Sequence, residues 1–236
     1  MPFGRKRRLD RSARERGVAP DVEDRHADED REVTTGPYDL ADAVEDDLER
    51  VDFGALQIPK TAGTDLRVSL DDKGRVVSVS VHRNGSAMQI GAYAAPRDGS
   101  VWPDLWPELT QSIKSQGGRA NQTDGPFGPE LAAELAPART GGKDNQQGAR
   151  RPARFVGIDG PRWFVRAVLT GPAATDEDLA EPLLATLRDV IVVRGSDPRP
   201  VREPLSLKLP PELAEQLGQV ENPDADQPPP APTITI

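Results

Sequence analysis

An α+β fold is predicted, with a mostly antiparallel sheet and two main helices packed on it. Three observations predict it. Apolar and polar residues alternate at Leu66–Leu70 and again at Val77–Val81, the period of half-buried strands. Leucines and an isoleucine recur every four residues at Leu105, Leu109 and Ile113, and again at Leu179, Leu183 and Leu187, the period of an amphipathic helix. Finally, residues 154–171 and 189–195 read as strand, strand, helix, strand, with an Asp159-Gly160-Pro161 turn between the first two.

Taken in order, residues 1 to about 50 are highly charged and poor in aromatic and β-branched side chains, so they are expected to remain disordered. Within them Leu40, Val44, Leu48 and Val51 fall near helical spacing and offer one short helix that could dock on a partner or on the core. The ordered domain is expected over 51–217. It opens with VDFGALQIP, then a hairpin through a DDKG turn, then Asn84-Gly85 leading to a third strand through Met88, Ile90 and Ala92. The first helix follows Trp102, with Pro103 or Pro107 in its first turn and Gly117-Gly118 as its stop. GPFGPEL then makes a turn before a segment that reads as strand or helix, and a Gly-rich loop spans about 138–151. Thr175 is expected to cap the second helix, and Pro182 to kink it or delay its start. The two helical cores lie 74 positions apart, which suggests two β-β-(β)-α-β pseudo-repeats over about 60–135 and 152–217. PLSLKLP runs extended, one helical turn is offered at 211–217, and 218–236 reads as a Pro-rich disordered tail.

Composition narrows the function. The 236 residues contain no cysteine, so disulfides, thiolate metal sites and thiol nucleophiles are excluded, and a reducing cytoplasmic setting is expected. No apolar run is long enough to span a bilayer. The net charge of −9 is uneven. Residues 1–16 hold seven basic and two acidic side chains, while residues 17–52 hold fourteen acidic and three basic. The domain itself therefore has no strong field of either sign. Arg5 to Arg16 offer a nucleic-acid contact, weakened by the lack of interleaved aromatics and by the acidic segment beside them.

Groups suited to catalysis are sparse. There is no Gly-x-Ser-x-Gly elbow and no Walker or Gly-x-Gly-x-x-Gly loop. Of the two histidines, His26 lies in the charged tail and His82 reads as a surface residue at a strand end. No catalytic residue, metal ligand set or cofactor site is therefore expected. Asp159 is either an orienting acid or a turn residue accepting backbone hydrogen bonds. Alternation over Arg162–Thr170 places Trp163, Val165, Ala167 and Leu169 in the core and Arg162, Phe164 and Arg166 on the other face. That face could hold an anion, a partner carboxylate or an acidic segment of the chain, or could be a solvated surface with arginine stems over Phe164. Trp102 and Trp106 are core caps or a partner contact. A non-enzymatic binding or adaptor protein is the first expectation. A sensor or enzyme for a phosphorylated small molecule, with Arg162 and Arg166 clamping the anion beside Asp159, is the second.

The segments VDFGALQIP, AYAAPRDGSVW, GPFGPEL, RFVGIDGPRWFVRAVLTGPAA, DVIVVRG and PLSLKLP, in this order, resemble an actinobacterial family of unknown function over about residues 37–217. The resemblance implies a cytoplasmic protein with no assigned activity. Its genes often lie near one for a dUTPase, which points toward nucleotide or DNA metabolism. The strand-strand-helix-strand unit is also similar to small α+β folds of bacterial secretion chaperones, which act by binding proteins.

Overall fold

The structure, a computed structural model, describes residues 36–43, 45–72, 74–137 and 149–210, with the backbone of 233–235. Its centre is an eight-stranded sheet in which every neighbouring pair is antiparallel. The strands are β4 (Asp65–Leu70), β5 (Val76–Arg83), β6 (Ser86–Ala94), β7 (Arg119–Gly125), β8 (Gly128–Leu135), β9 (Arg151–Gly160), β10 (Trp163–Thr170) and β12 (Thr233–Thr235). Their order is β12-β4-β5-β6-β10-β9-β8-β7. A smaller sheet, ordered β1-β11-β3-β2, contains β1 (Tyr38–Asp39), β2 (Arg50–Asp52), β3 (Leu56–Pro59) and β11 (Ile191–Val192), with β1 and β11 parallel.

Strict alternation builds the large sheet. Leu66 and Val68, Val79 and Val81, Met88, Ile90 and Ala92, and Trp163, Val165, Ala167 and Leu169 all turn to one face and are buried there. Asn84 and Gly85 both have positive φ, 48° and 75°, as a type I′ hairpin requires. A register shift at Ser69/Leu70 interrupts the pattern and leaves Val77 exposed.

The two helices lie on opposite faces. Helix α2 (Glu177–Arg188) packs Ala180, Leu183, Leu184 and Leu187 with Phe53, Leu56 and Ile58 of the small-sheet region against the alternating apolar face. Helix α1 (Trp102–Ser115) packs Trp102 and Ile113 on the other face with Ala120, Leu131, Ala133 and Phe164. The large sheet is thus the middle layer between two separate cores.

Several expectations are corrected. Among the described residues, sheet structure begins at Tyr38, within the segment expected as a tail. Among the described residues of 40–51 no helix forms: a turn at Leu40–Asp42 and residues without regular structure lead to β2, where Val51 pairs with Ile58. Sheet pairing outcompetes an isolated helix too short to be stable alone. Asp176, not Thr175, caps α2, accepting from the Leu179 amide at 3.2 Å. Pro182 neither delays nor ends that helix. The carbonyl it leaves unbonded belongs to Asp178, in the exposed first turn, where water can serve as donor. The segment after GPFG is strand, not helix, paired on both sides by β7 and β9. The loop at 138–148, the helical turn at 211–217, Arg5 to Arg16 and the Pro run lie outside the described residues.

Candidate functional site

Each conspicuous residue of the GIDGPRW segment has a place in this architecture. Asp159 lies in β9 rather than in a turn, and its carboxylate accepts from the amides of Val101 at 2.6 Å and Trp102 at 3.2 Å. It caps α1 from a distant strand, where the helix has no local side-chain cap. The turn is Pro161-Arg162, between the paired Gly160 and Trp163. Arg162 has φ 58°, a left-handed conformation at the second turn position that glycine ordinarily fills. Its carbonyl accepts from the Ala95 amide at 2.9 Å and from Arg194 Nε at 3.0 Å, so the turn is held at both sides. Arg162 therefore does not flank Phe164 on the strand face as alternation suggested.

Phe164 is also not an open surface. It is 1% exposed, stacked at 6.0 Å on Trp102 and tilted against Tyr93 at 6.1 Å. Trp102 is the hub of this second core. Its indole lies so close over Gly157 that a Cβ there would be 2.1 Å from the ring, and its Nε1 donates to the Pro129 carbonyl at 2.6 Å. Gly160 makes the same kind of room for Trp163, whose Nε1 donates to Asp39 at 2.9 Å. Of the residues singled out, Asp159, Trp102 and Phe164 come together, as packing and capping. Arg166 stands at the edge of that core, its guanidinium 5.3 Å from the Tyr93 ring centroid and donating to the Tyr93 hydroxyl at 2.9 Å.

A buried ionic network was missed in the sequence. Arg154 on β9 donates through Nε to Glu130 on β8 and through Nη1 to both carboxylate oxygens of Glu177 on α2, at 2.8 and 2.9 Å. Glu130 and Arg154 are buried, whereas Glu177 is exposed. Burial pushes the Glu130 carboxyl above the usual range, against the pull of Arg154. One Glu130 oxygen is buried without a partner, packed where Gly125 has no side chain. GPFGPEL is the signal that could have located it: Gly125 clears the space, Pro129 receives Trp102, and Glu130 meets Arg154.

A polar, open region lies on the same sheet face as α1 but away from it. Helix α1 covers β8, β9 and Phe164. Farther along, β4, β5, β6 and β10 turn Arg67, Ser78, Ser80, His82, Gln89 and Arg166 outward, all at least partly exposed. At the hairpin end of this face a cleft of about 500 Å³ is lined by Gly63, Asp65, Arg67, His82, Arg83, Asn84, Gly85 and Ser86. His82 Nε2 lies 2.9 Å from Ser80 Oγ. Burial, then the charge of Arg67, depress its pKa, with Asp65 opposing. Arg67 occupied a polar slot of an alternating strand, which carries no signal of its own.

Among the described residues no group of three histidine, aspartate or glutamate side chains is placed to hold a metal ion, and no helix is long and apolar enough to cross a membrane. No curated protein and no solved structure matches the chain. A family model described as a protein of unknown function, DUF3710, does match it over residues 36–216, from just before β1 to just beyond PLSLKLP, so the chain belongs to the DUF3710 family.

Proposed function

We propose that this chain is a cytoplasmic, non-enzymatic binding protein that engages a protein partner through the uncovered half of its large sheet. The observation that carries this reading is the partial cover of one sheet face: α1 seals it over β8 and β9 and leaves the polar surface of β4, β5, β6 and β10 open. That surface is backed by the larger core, where the inward side chains of β4, β5, β6 and β10 are buried, so presenting it costs little ordering entropy on binding. Its charged groups, Arg67, His82 and Arg166 against Asp65, favour a partner segment rich in carboxylates and hydrogen-bond acceptors. The Arg-aromatic face expected from sequence is reduced to Arg166, because Phe164 is spent on α1 and Arg162 on the turn.

The test is site-specific photo-crosslinking in cells, with the reactive residue at exposed Gln89 in the middle of the open face and, as control, at exposed Asp178 on α2. A discrete adduct of defined mass from position 89, absent from position 178 and lost on Ser80→Arg, is the expected outcome. No adduct from position 89, or the same adducts from both positions, would remove the reading.

A further inference from the structure

We infer that the cleft at the hairpin end of the open face binds a phosphate monoester carried by a small metabolite, held between the guanidinium groups of Arg67 and Arg83 with His82 beside them. This site goes beyond the partner reading and does not depend on it.

Charge is the first argument. Two arginines and a histidine line the cleft against one carboxylate, Asp65. Neither Arg67 nor Arg83 forms a salt bridge with a described residue. Several other arginines do pair with carboxylates: Arg50 with Asp46, Arg75 with Asp71, Arg154 with Glu130, Arg188 with Glu181, Arg202 with Glu108. The cleft thus gathers two arginines and a histidine around the single carboxylate of Asp65.

Unused bonding capacity is the second. Arg67 Nε is buried and has no hydrogen-bond partner. A buried donor left unsatisfied is costly, and such groups collect where a ligand supplies the missing acceptor. Arg83, which also lines the cleft, is held in place by donating through Nη1 to the Ala62 carbonyl at 2.8 Å. It lies across Gly63, whose φ of 76° and absent side chain leave the guanidinium room. One guanidinium is thus held in place and the other has a buried Nε without an acceptor, donors suited to an oxyanion.

Size and chemistry select the ligand class. Guanidinium forks match the oxygens of phosphate, and two of them balance its double negative charge. The cleft exceeds the volume of one phosphate and falls in the range of small-molecule sites. Its remaining walls, Asp65 and Asn84, provide acceptors and an amide for hydroxyl groups on the organic part. His82 reports on occupancy. Burial and Arg67 favour its neutral form, with Asp65 opposing, and a bound dianion would favour the imidazolium.

The experiment uses the full chain at low ionic strength, titrated with inorganic phosphate and with glycerol 2-phosphate. Sodium chloride at matched ionic strength and succinate are the comparison arms. Calorimetry reads affinity, and proton NMR reads the His82 imidazole titration, with His26→Gln assigning the two histidines. Both phosphates should bind, the monoester more tightly, and each should raise the His82 pKa. Arg67→Gln and Arg83→Gln should each weaken binding by about tenfold or more, while Arg166→Gln should not. Succinate binding as tightly as the monoester, an effect reproduced by chloride, or an unmoved His82 titration would each overturn the proposal. Should Arg67→Gln fail to fold, Arg83→Gln and the wild-type His82 titration decide the matter.

Discussion

Trp102 and Asp159 show how a residue that looks functional in sequence can be consumed by structure. The indole of Trp102 is pinned by the Gly157 backbone below it, the Phe164 ring beside it and the Pro129 carbonyl at its edge. Asp159 accepts through both carboxylate oxygens from two amides at the start of the same helix, where the positive end of the helix dipole also meets it. Asp159→Ala should therefore destabilise the protein by about 1–2 kcal/mol, the cost of a lost N-cap, and Asp159→Asn by less. Urea unfolding measures both. A role for Asp159 as an acid in chemistry predicts instead that the asparagine variant is as stable as wild type. At Gly157 the structure leaves no room for a methyl group, and Gly157→Ala should cost about 1–3 kcal/mol through overpacking against the ring.

At the scale of elements, the Glu130–Arg154–Glu177 network ties β8 and β9 to the first turn of α2. Its buried half is sensitive to which partner is lost. Arg154→Met leaves the Glu130 charge buried and alone, a loss of about 3–5 kcal/mol. Burial already raises the Glu130 pKa in the folded state. A carboxyl raised in this way favours folding below its unfolded pKa, and that contribution fades as pH rises through the folded value. The penalty of Arg154→Met should accordingly be small in mild acid, where Glu130 takes up a proton, and grow toward neutral pH. The double variant with Glu130→Gln should recover most of the loss. Denaturant unfolding across that pH range checks it, and a penalty independent of pH would show that Glu130 is not the group responsible.

The whole molecule is a sheet with unequal cores on its two faces. The α2 side gathers most of the large buried residues, including Trp163, Phe53, Leu56, Ile58, Leu183 and Leu184, while the α1 side rests on Trp102, Ile113, Leu131 and Phe164. Local opening should follow that asymmetry, because the free energy of opening scales with the apolar surface exposed. Amides of α1 should exchange hydrogen through a smaller opening than those of β5, β6 and β10, as native-state exchange with mass spectrometry would read. Equal protection across both would mean that the two cores unfold as one unit. The asymmetry also leaves the β4–β5–β6–β10 surface open, and with it both the proposed partner face and the cleft.

Local periodicity determined β4, β5, β6, β9, β10 and both helices, because each is written in neighbours two or four residues apart. The Asn84-Gly85 hairpin was legible for the same reason: its backbone demand is met by two adjacent residues. Alternation also separated Trp163 and Val165 from Phe164 correctly, but it cannot say what covers a face. Only the tertiary structure decided that α1 and α2 lie on opposite sides, that Phe164 is sealed beneath Trp102, and that Arg162 turns the chain. It alone brought Tyr38 beside Ile191, Arg154 between Glu130 and Glu177, and Arg67 to His82 and Arg83. Those juxtapositions depend on which distant surfaces pack together, set by the summed burial of the whole chain, and no window of neighbouring residues encodes them.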